Sequence, residues 1–339
     1  MVADRRTRVI GLDVSGDFGS GLQGGVVDSG GGLVARKEWV TPTTSQAELV
    51  DSLVTMAQRL MQEAGRDGAP PTALGLAAPG LVDEASGVVR RSSNLPLHDV
   101  PLASILTERL GLPAFLIHEC RAGILAESSL GSGRGIADIL LVVIGRGVGS
   151  ALISGGHRLL GANGAVGEIG HISVDPAGIR CGCGGRGCVE TLVSERALAQ
   201  RYVIVAKEAV LPAEVVLRAQ AGEPAASRVW SEAMDALATA VAAAAILIDC
   251  ALVILAGPGT IPAAAVPPLR SLLANRMNLV QTPRVALSAL GVSAGVLGAA
   301  AAAFERSGMT DVVRSWAAAT VSGQILPAGD SAPGLGDLR

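Results

Sequence analysis

Residues 168–190 gather the side chains best suited to chemistry. Glu168-Ile-Gly-His171 is followed by Cys181-Gly-Cys183-Gly-Gly-Arg-Gly-Cys188-Val-Glu190, in a chain that holds four histidines and five cysteines in all. Thiolate sulfur and neutral imidazole are the donors a tetrahedral zinc prefers, and a Cys₃His set without a further donor is the closed, structural kind. Cys181 and Cys183 flank one glycine, while Gly184, Gly185 and Gly187 allow the turn that returns Cys188 to the same ion. The alternative is three buried or disulfide-bonded cysteines beside an unrelated histidine, and five is an odd number for pairing. Glu168 and Glu190 are surplus to a four-donor metal site. Each carboxylate can accept two or more hydrogen bonds from a polyol; a solvated loop face is the plainer reading of both.

The elements that must position these groups come from a chain of 339 residues, long enough for two domains. Aromatic residues make up only 2%, so the core is built from small aliphatic side chains, and a net charge of −3 offers no basic face for nucleic acid. Unpaired cysteines at metal-ligand spacing fit a reducing cytoplasm. No signal peptide is legible, because Asp13 ends the apolar run that begins at Val9. The apolar run over 237–255 is rich in alanine and contains Asp249 and Cys250, which reads as a buried helix and a strand rather than a membrane span.

Period-two and turn signals predict strands over 8–13, 22–27 and 33–40, with glycine-rich turns between them. The pattern of strand, glycine turn, strand, glycine turn, strand returns from residue 138 onward, through Gly145-Arg-Gly-Val-Gly149 and Ser154-Gly-Gly156. Further strands are expected over 72–78, 114–117, 250–256 and 285–290, and helices over 45–64, 102–110, 122–129, 194–209, 225–249 and 294–304. The duplicated pattern predicts two related α/β lobes with a cleft between them. We expect a small lobe from residues 1–118 plus a segment near 300–320, a large lobe over 119–299, and a disordered tail over 321–339 rich in Pro, Gly, Asp and Ser.

The stretch from Glu168 to Glu190, with Val174-Asp175-Pro176 inside it, resembles the signature of the ROK family of repressors, unclassified reading frames and sugar kinases. Related features run from Val9 to Phe304. The resemblance implies the actin-like ATPase (ribonuclease H-like) fold. It implies zinc ligands at His171, Cys181, Cys183 and Cys188, and sugar contacts at Glu168, His171 and Glu190. Asn94, in Asn-Leu-Pro96, falls where the family places a sugar-contacting asparagine. It also implies a homodimer or higher homo-oligomer. The glycine turns would face nucleotide phosphates, because bare N–H groups at close approach bind oxyanions. On this chain those positions are Asp13 and Gly16, Gly145 and Gly147, and Gly257 and Gly259.

Several positions depart from the kinase pattern. Where kinases resemble Asp-x-Gly-Gly-Thr, this chain has Asp13-Val-Ser15-Gly16-Asp17, and the Asp17 carboxylate repels phosphate. Arg146 replaces a threonine, and Pro258 interrupts a run of glycines. Where kinases resemble Asn-Asp-Ala-Asn, with the Asp as base, this chain has His118-Glu119-Cys120-Arg121. Glu119 thus stands at the base position with its carboxylate one methylene further out, and family regulators commonly carry Glu there. His118 lies where it could bond a sugar hydroxyl or simply pack at the strand end.

Three functions are compatible with this pattern. The principal reading is a non-catalytic, sugar-sensing, regulator-type protein without a helix-turn-helix of its own, since only eight residues precede Val9. It would bind a sugar or sugar derivative, with no direct nucleic-acid or membrane contact. The alternative is an ATP-dependent kinase of a hexose, amino sugar or cyclitol, using Mg-ATP and Glu119 as base. The third is a structural or biosynthetic partner that reuses the cleft.

Overall fold

The computed structural model describes residues 7–15, 21–66, 68–92 and 94–319. Gly16, Asp17 and the tail over 321–339 lie outside the described residues, so the expectations placed on them are not addressed by it.

The first sheet has five strands in the order β3-β2-β1-β4-β8: β1 (Arg8–Asp13), β2 (Leu22–Asp28), β3 (Leu33–Trp39), β4 (Leu74–Ala78) and β8 (Ala114–His118). The second repeats it as β11-β10-β9-β12-β13: β9 (Ile139–Ile144), β10 (Val148–Ser154), β11 (His157–Arg158), β12 (Leu252–Ala256) and β13 (Arg284–Leu287). In each, three antiparallel strands are followed by two parallel ones. Strands covered on both faces read as continuous apolar runs, as in Ile139-Leu-Leu-Val-Val-Ile144, whereas the edge strand β3 alternates half-buried and exposed residues. A small sheet of β5 (Leu81–Asp83), β6 (Val88–Arg91) and β7 (His98–Val100) was not legible beforehand.

Ten helices complete the described chain: α1 (Gln46–Arg66), α2 (Leu102–Leu110), α3 (Glu119–Leu130), α4 (Glu190–Val193), α5 (Glu195–Ala206), α6 (Pro212–Gln220), α7 (Pro224–Ile248), α8 (Ile261–Arg276), α9 (Ala294–Arg306) and α10 (Thr310–Ala319). Helix α1 covers the first sheet with Leu49, Leu53, Met56 and Leu60, on the face its periodicity marks. The helix expected over 122–129 begins instead at Glu119. His118 caps it by accepting the Cys120 N–H on Nδ1 at 3.3 Å, so the Glu119-Cys-Arg121 stretch forms its first turn. The helix expected from 194 ends at Ala206, because Lys207 takes a left-handed conformation. Helix α7 is long and apolar enough to cross a membrane by length and composition; half of its most apolar stretch is buried, packed among α5, α6 and α8.

Helix α9 explains the shortage of aromatics. Residues 294–304 are all buried, and the helix lies directly on β1, β4 and α3. A methyl group on Gly11, Gly75 or Gly298 would run into the Val296, Ala299 or Ala122 carbonyl respectively. Backbones meet closely here, with alanine as the main filler.

Glu127 ties α3 to the chain entering α9. It is 0% exposed. Oε1 accepts from Ser288 Oγ at 2.5 Å and the Leu290 N–H at 3.0 Å, while Oε2 accepts from the Ser132 N–H at 2.7 Å. Glu127→Ala takes the acceptor from three partly buried donors, each costing about 1 kcal/mol. The variant should lose about 3 kcal/mol or more in urea unfolding; a loss under about 0.5 kcal/mol would remove Glu127 from this role.

Candidate functional site

The stretch around the cysteines folds back on itself through isolated bridges between Ser173 and Cys188 and between Arg180 and Arg186. Gly187 has a positive φ and presses on the Asp175 carbonyl, a position no side chain could occupy. His171 enters from a single 3-10 turn, Ile169–His171. The outcome is that one donor atom each from His171, Cys181, Cys183 and Cys188 lies within 4.8 Å of all the others. Cys183 Sγ and Cys188 Sγ are 3.7 Å apart, as are Cys181 Sγ and His171 Nδ1. A tetrahedron with zinc–sulfur bonds of about 2.3 Å has edges of ~3.8 Å, so the four donors fit a metal such as zinc. All five cysteines are free thiols, which disposes of the disulfide alternative. Burial, with Cys183 and Cys181 alongside, pushes the Cys188 thiol up to about 12, while the Gly185 N–H holds the Cys183 thiol below its ordinary value.

With Nδ1 turned to the cluster, His171 Nε2 faces the Glu168 carboxylate at 3.8 Å. Glu168 is 56% exposed on its side chain and so is open to a ligand. Glu190 opens α4 and leans the other way. Its Oε2 accepts the Val148 N–H at 3.2 Å and lies against Gly147. The second glycine turn is therefore in contact with the end of the cysteine loop. Gly145 N–H closes that turn on the Gly147 carbonyl at 3.0 Å, and Arg146 is exposed at its tip. Burial raises the Glu195 carboxyl, and Arg146 opposes the rise.

Across the cleft, β8 delivers His118 and the first turn of α3. Cys120 Sγ faces Gly149, where a methyl would collide with it, so this turn of α3 abuts the second glycine turn. Glu119 is 7% exposed. Burial first, and the Arg121 charge second, lower His118 to about 3, so its imidazole is neutral at physiological pH. Arg121 pairs with Glu84, a residue in the β5–β6 turn that sequence reading passed over because its partners lie far along the chain. Asn94 is exposed, and no side-chain contact joins it to the other candidates among the described residues. Gly257 and Gly259 form the turn between β12 and α8; Gly257 packs on the Ile144 carbonyl, while Gly259 faces open space.

Asp13 ends β1, fully buried. Its Oδ1 accepts from the Ser15 N–H at 2.9 Å and Ser15 Oγ at 2.6 Å, and Oδ2 lies so close to Gly295 that a methyl there would overlap it. Burial, partly offset by the Ser15 bonds, raises its pKa from 3.8 to about 6. Between those values the folded chain holds a proton the unfolded chain has released, so stability falls as pH rises and then levels off. The contribution is about 3 kcal/mol. Asp13→Asn keeps an oxygen for both Ser15 bonds. It should therefore exceed the native protein in urea resistance at neutral pH, with the gap closing in acid; equal resistance at both would contradict the burial argument.

The ROK family pattern matches residues 9–306. A glucokinase of Thermotoga maritima is 31% identical over 323 residues, covering 89% of this chain and 99% of that protein. The DNA-binding transcriptional dual regulator NagC of Escherichia coli is 34% identical over 176 residues, covering 52% of this chain and 43% of that protein. Among solved structures, the ROK hexokinase of Thermus thermophilus superimposes with a TM-score of 0.75 at 31% identity, over 89% of this chain and 99% of that one. The two repeated sheets are thus the halves of an actin-like ATPase fold, and its relatives include both sugar kinases and repressors. This chain belongs to the ROK family.

Proposed function

We propose that this chain is an ATP-dependent carbohydrate kinase of hexose-like substrates, with Glu119 as general base. What supports the reading is the contact of the first turn of α3 with the second glycine turn, through Cys120 and Gly149, since Glu119, a buried carboxylate, belongs to that same helical turn. Similarity to a glucokinase along its whole length supports this reading more than it supports the regulator-type one, for which the match to NagC covers under half of that protein. In this reading Glu168, Glu190, His171, His118 and Asn94 bind sugar hydroxyls, and closure of the lobes excludes water.

Mg-ATP, when bound, supplies the phosphoryl group and a cation that spreads the charge of its phosphates. In this reading Asp13, the buried carboxylate that ends β1, would face the ion. Gly145, Gly147, Gly257 and Gly259 would line the phosphate and adenosine side. Glu119 takes the proton of the accepting hydroxyl as its oxygen bonds to the γ-phosphorus and the bond to the β-oxygen breaks. Zinc held by His171, Cys181, Cys183 and Cys188 would be structural, with no open position.

Calorimetry with Mg-ATP, with and without a panel of hexoses and N-acetylhexosamines, combined with an ADP-release assay, tests the reading. Micromolar ATP binding strengthened by one sugar, with turnover, is expected. Sugar binding without ATP binding would instead support the sensor reading, which the extra methylene of Glu119 favours.

A further inference from the structure

Arg121 departs from the asparagine of the family pattern, and its surroundings show what the change does. It is 3% exposed, in the first turn of α3. A cation there opposes the helix dipole, and a buried guanidinium is costly unless paired. Glu84 answers both demands: its Oε1 accepts Arg121 Nε–H at 2.5 Å and the His118 N–H at 2.9 Å. The guanidinium then reaches beyond that pair, with Nη1 donating to the Gly164 carbonyl at 2.9 Å.

Gly164 lies in the segment that leads from β11 to Glu168. The segment is well held at its ends, where Leu159 N–H bonds the Leu152 carbonyl at 2.9 Å and the Gly167 carbonyl accepts both Ser150 N–H and Oγ at 2.8 Å. Its middle has a long bond from Val166 N–H to the Leu160 carbonyl, 3.4 Å, and positive φ at Gly161 and Gly164. We propose that Arg121 is a positioning residue of the sugar site: it ties the middle of the 159–167 segment to Glu84, and so sets the spacing between Glu168 and the turn bearing Glu119. The proposal rests on the sugar reading of the cleft.

Limited proteolysis of the full chain with elastase, which cuts after small residues such as Ala162 and Ala165, reads the tie without any sugar. Arg121→Asn should raise cleavage within 160–166 about tenfold or more, since cleavage follows local opening. Arg121→Lys keeps the charge but loses the fork, and should do the same. Glu84→Gln retains an oxygen for the His118 N–H and serves as the milder cut if the Arg121 variants do not fold. Unchanged cleavage in every folded variant overturns the tie, whether or not a sugar binds. For whichever sugar binds the native protein, the dissociation constant should rise about tenfold, because Glu168 no longer keeps its spacing from the turn bearing Glu119. A lowered Tm with the dissociation constant unchanged would reduce Arg121 to a structural ion pair. Raised cleavage in a chain that binds no sugar would sink the sugar role and leave the tie.

Discussion

With Glu119 as the proposed base, Glu119→Gln should lower kcat for phosphoryl transfer by about 10²- to 10⁴-fold, the usual contribution of a positioned general base. The substitution keeps the volume and hydrogen-bonding shape of a side chain only 7% exposed, so sugar and nucleotide affinities should move little. Glu119→Asp is the informative partner. It shortens the reach by one methylene, and because the backbone at the head of α3 is fixed by the His118 cap and by Glu84, the helix has little freedom to follow. Its kcat should fall as well, by up to about 10²-fold for ~1 Å of displacement. Coupled ADP release at saturating substrates separates the outcomes. A fully active glutamine variant would strip Glu119 of the proposed base role, and an aspartate variant faster than the native protein would mean that the longer side chain is poorly placed.

Cys183→Ser carries the second large effect. Cys183 is the exposed cysteine of the cluster, so the exchange of sulfur for oxygen disturbs packing least while removing one donor of four. Loss of a supporting group alone commonly costs 10- to about 100-fold in metal affinity, and loss of a direct ligand should exceed that. Metal content after dialysis against a chelator should fall from one equivalent per chain to a small fraction. Sugar affinity should fall with it, since Glu168 and Glu190 flank the loop that the metal would hold. Full metal retention by this variant would show that the donor set is wrong; loss of metal with undiminished sugar binding would detach the loop from the cleft.

The sequence made some of this visible and hid the rest for identifiable reasons. The cysteine loop was legible because metal ligation constrains both residue type and spacing, and the halves of the fold because glycine turns punctuate the same strand pattern twice. The start of α3 was not, because histidine is an uncommon cap and the helix signal strengthens only at Ala122. Helix α8 was obscured by Pro267 and Pro268 within it. Glu84 escaped notice because what defines it is Arg121, 37 positions later. Asn94 was placed by resemblance alone, and its exposed turn gives no contact that would have singled it out. The regulator-type reading leaned on Asp17 and Glu119 as single substitutions; similarity along the whole chain of a glucokinase weighs differently from either.

The carboxylate of Glu190 has two oxygens, and one of them already accepts the Val148 N–H of the glycine turn. A hydroxyl bound at the other oxygen and a phosphate competing for that N–H would then act on one side chain. Such an arrangement is a thermodynamic square: whatever factor the first ligand applies to the affinity of the second, the second must apply to the first. Measuring each dissociation constant with the other site empty and filled would give two ratios. Their equality is required of any true equilibrium, and their departure from unity, abolished in Glu190→Ala, would measure how much of the conversation between the two halves of the cleft runs through this single residue.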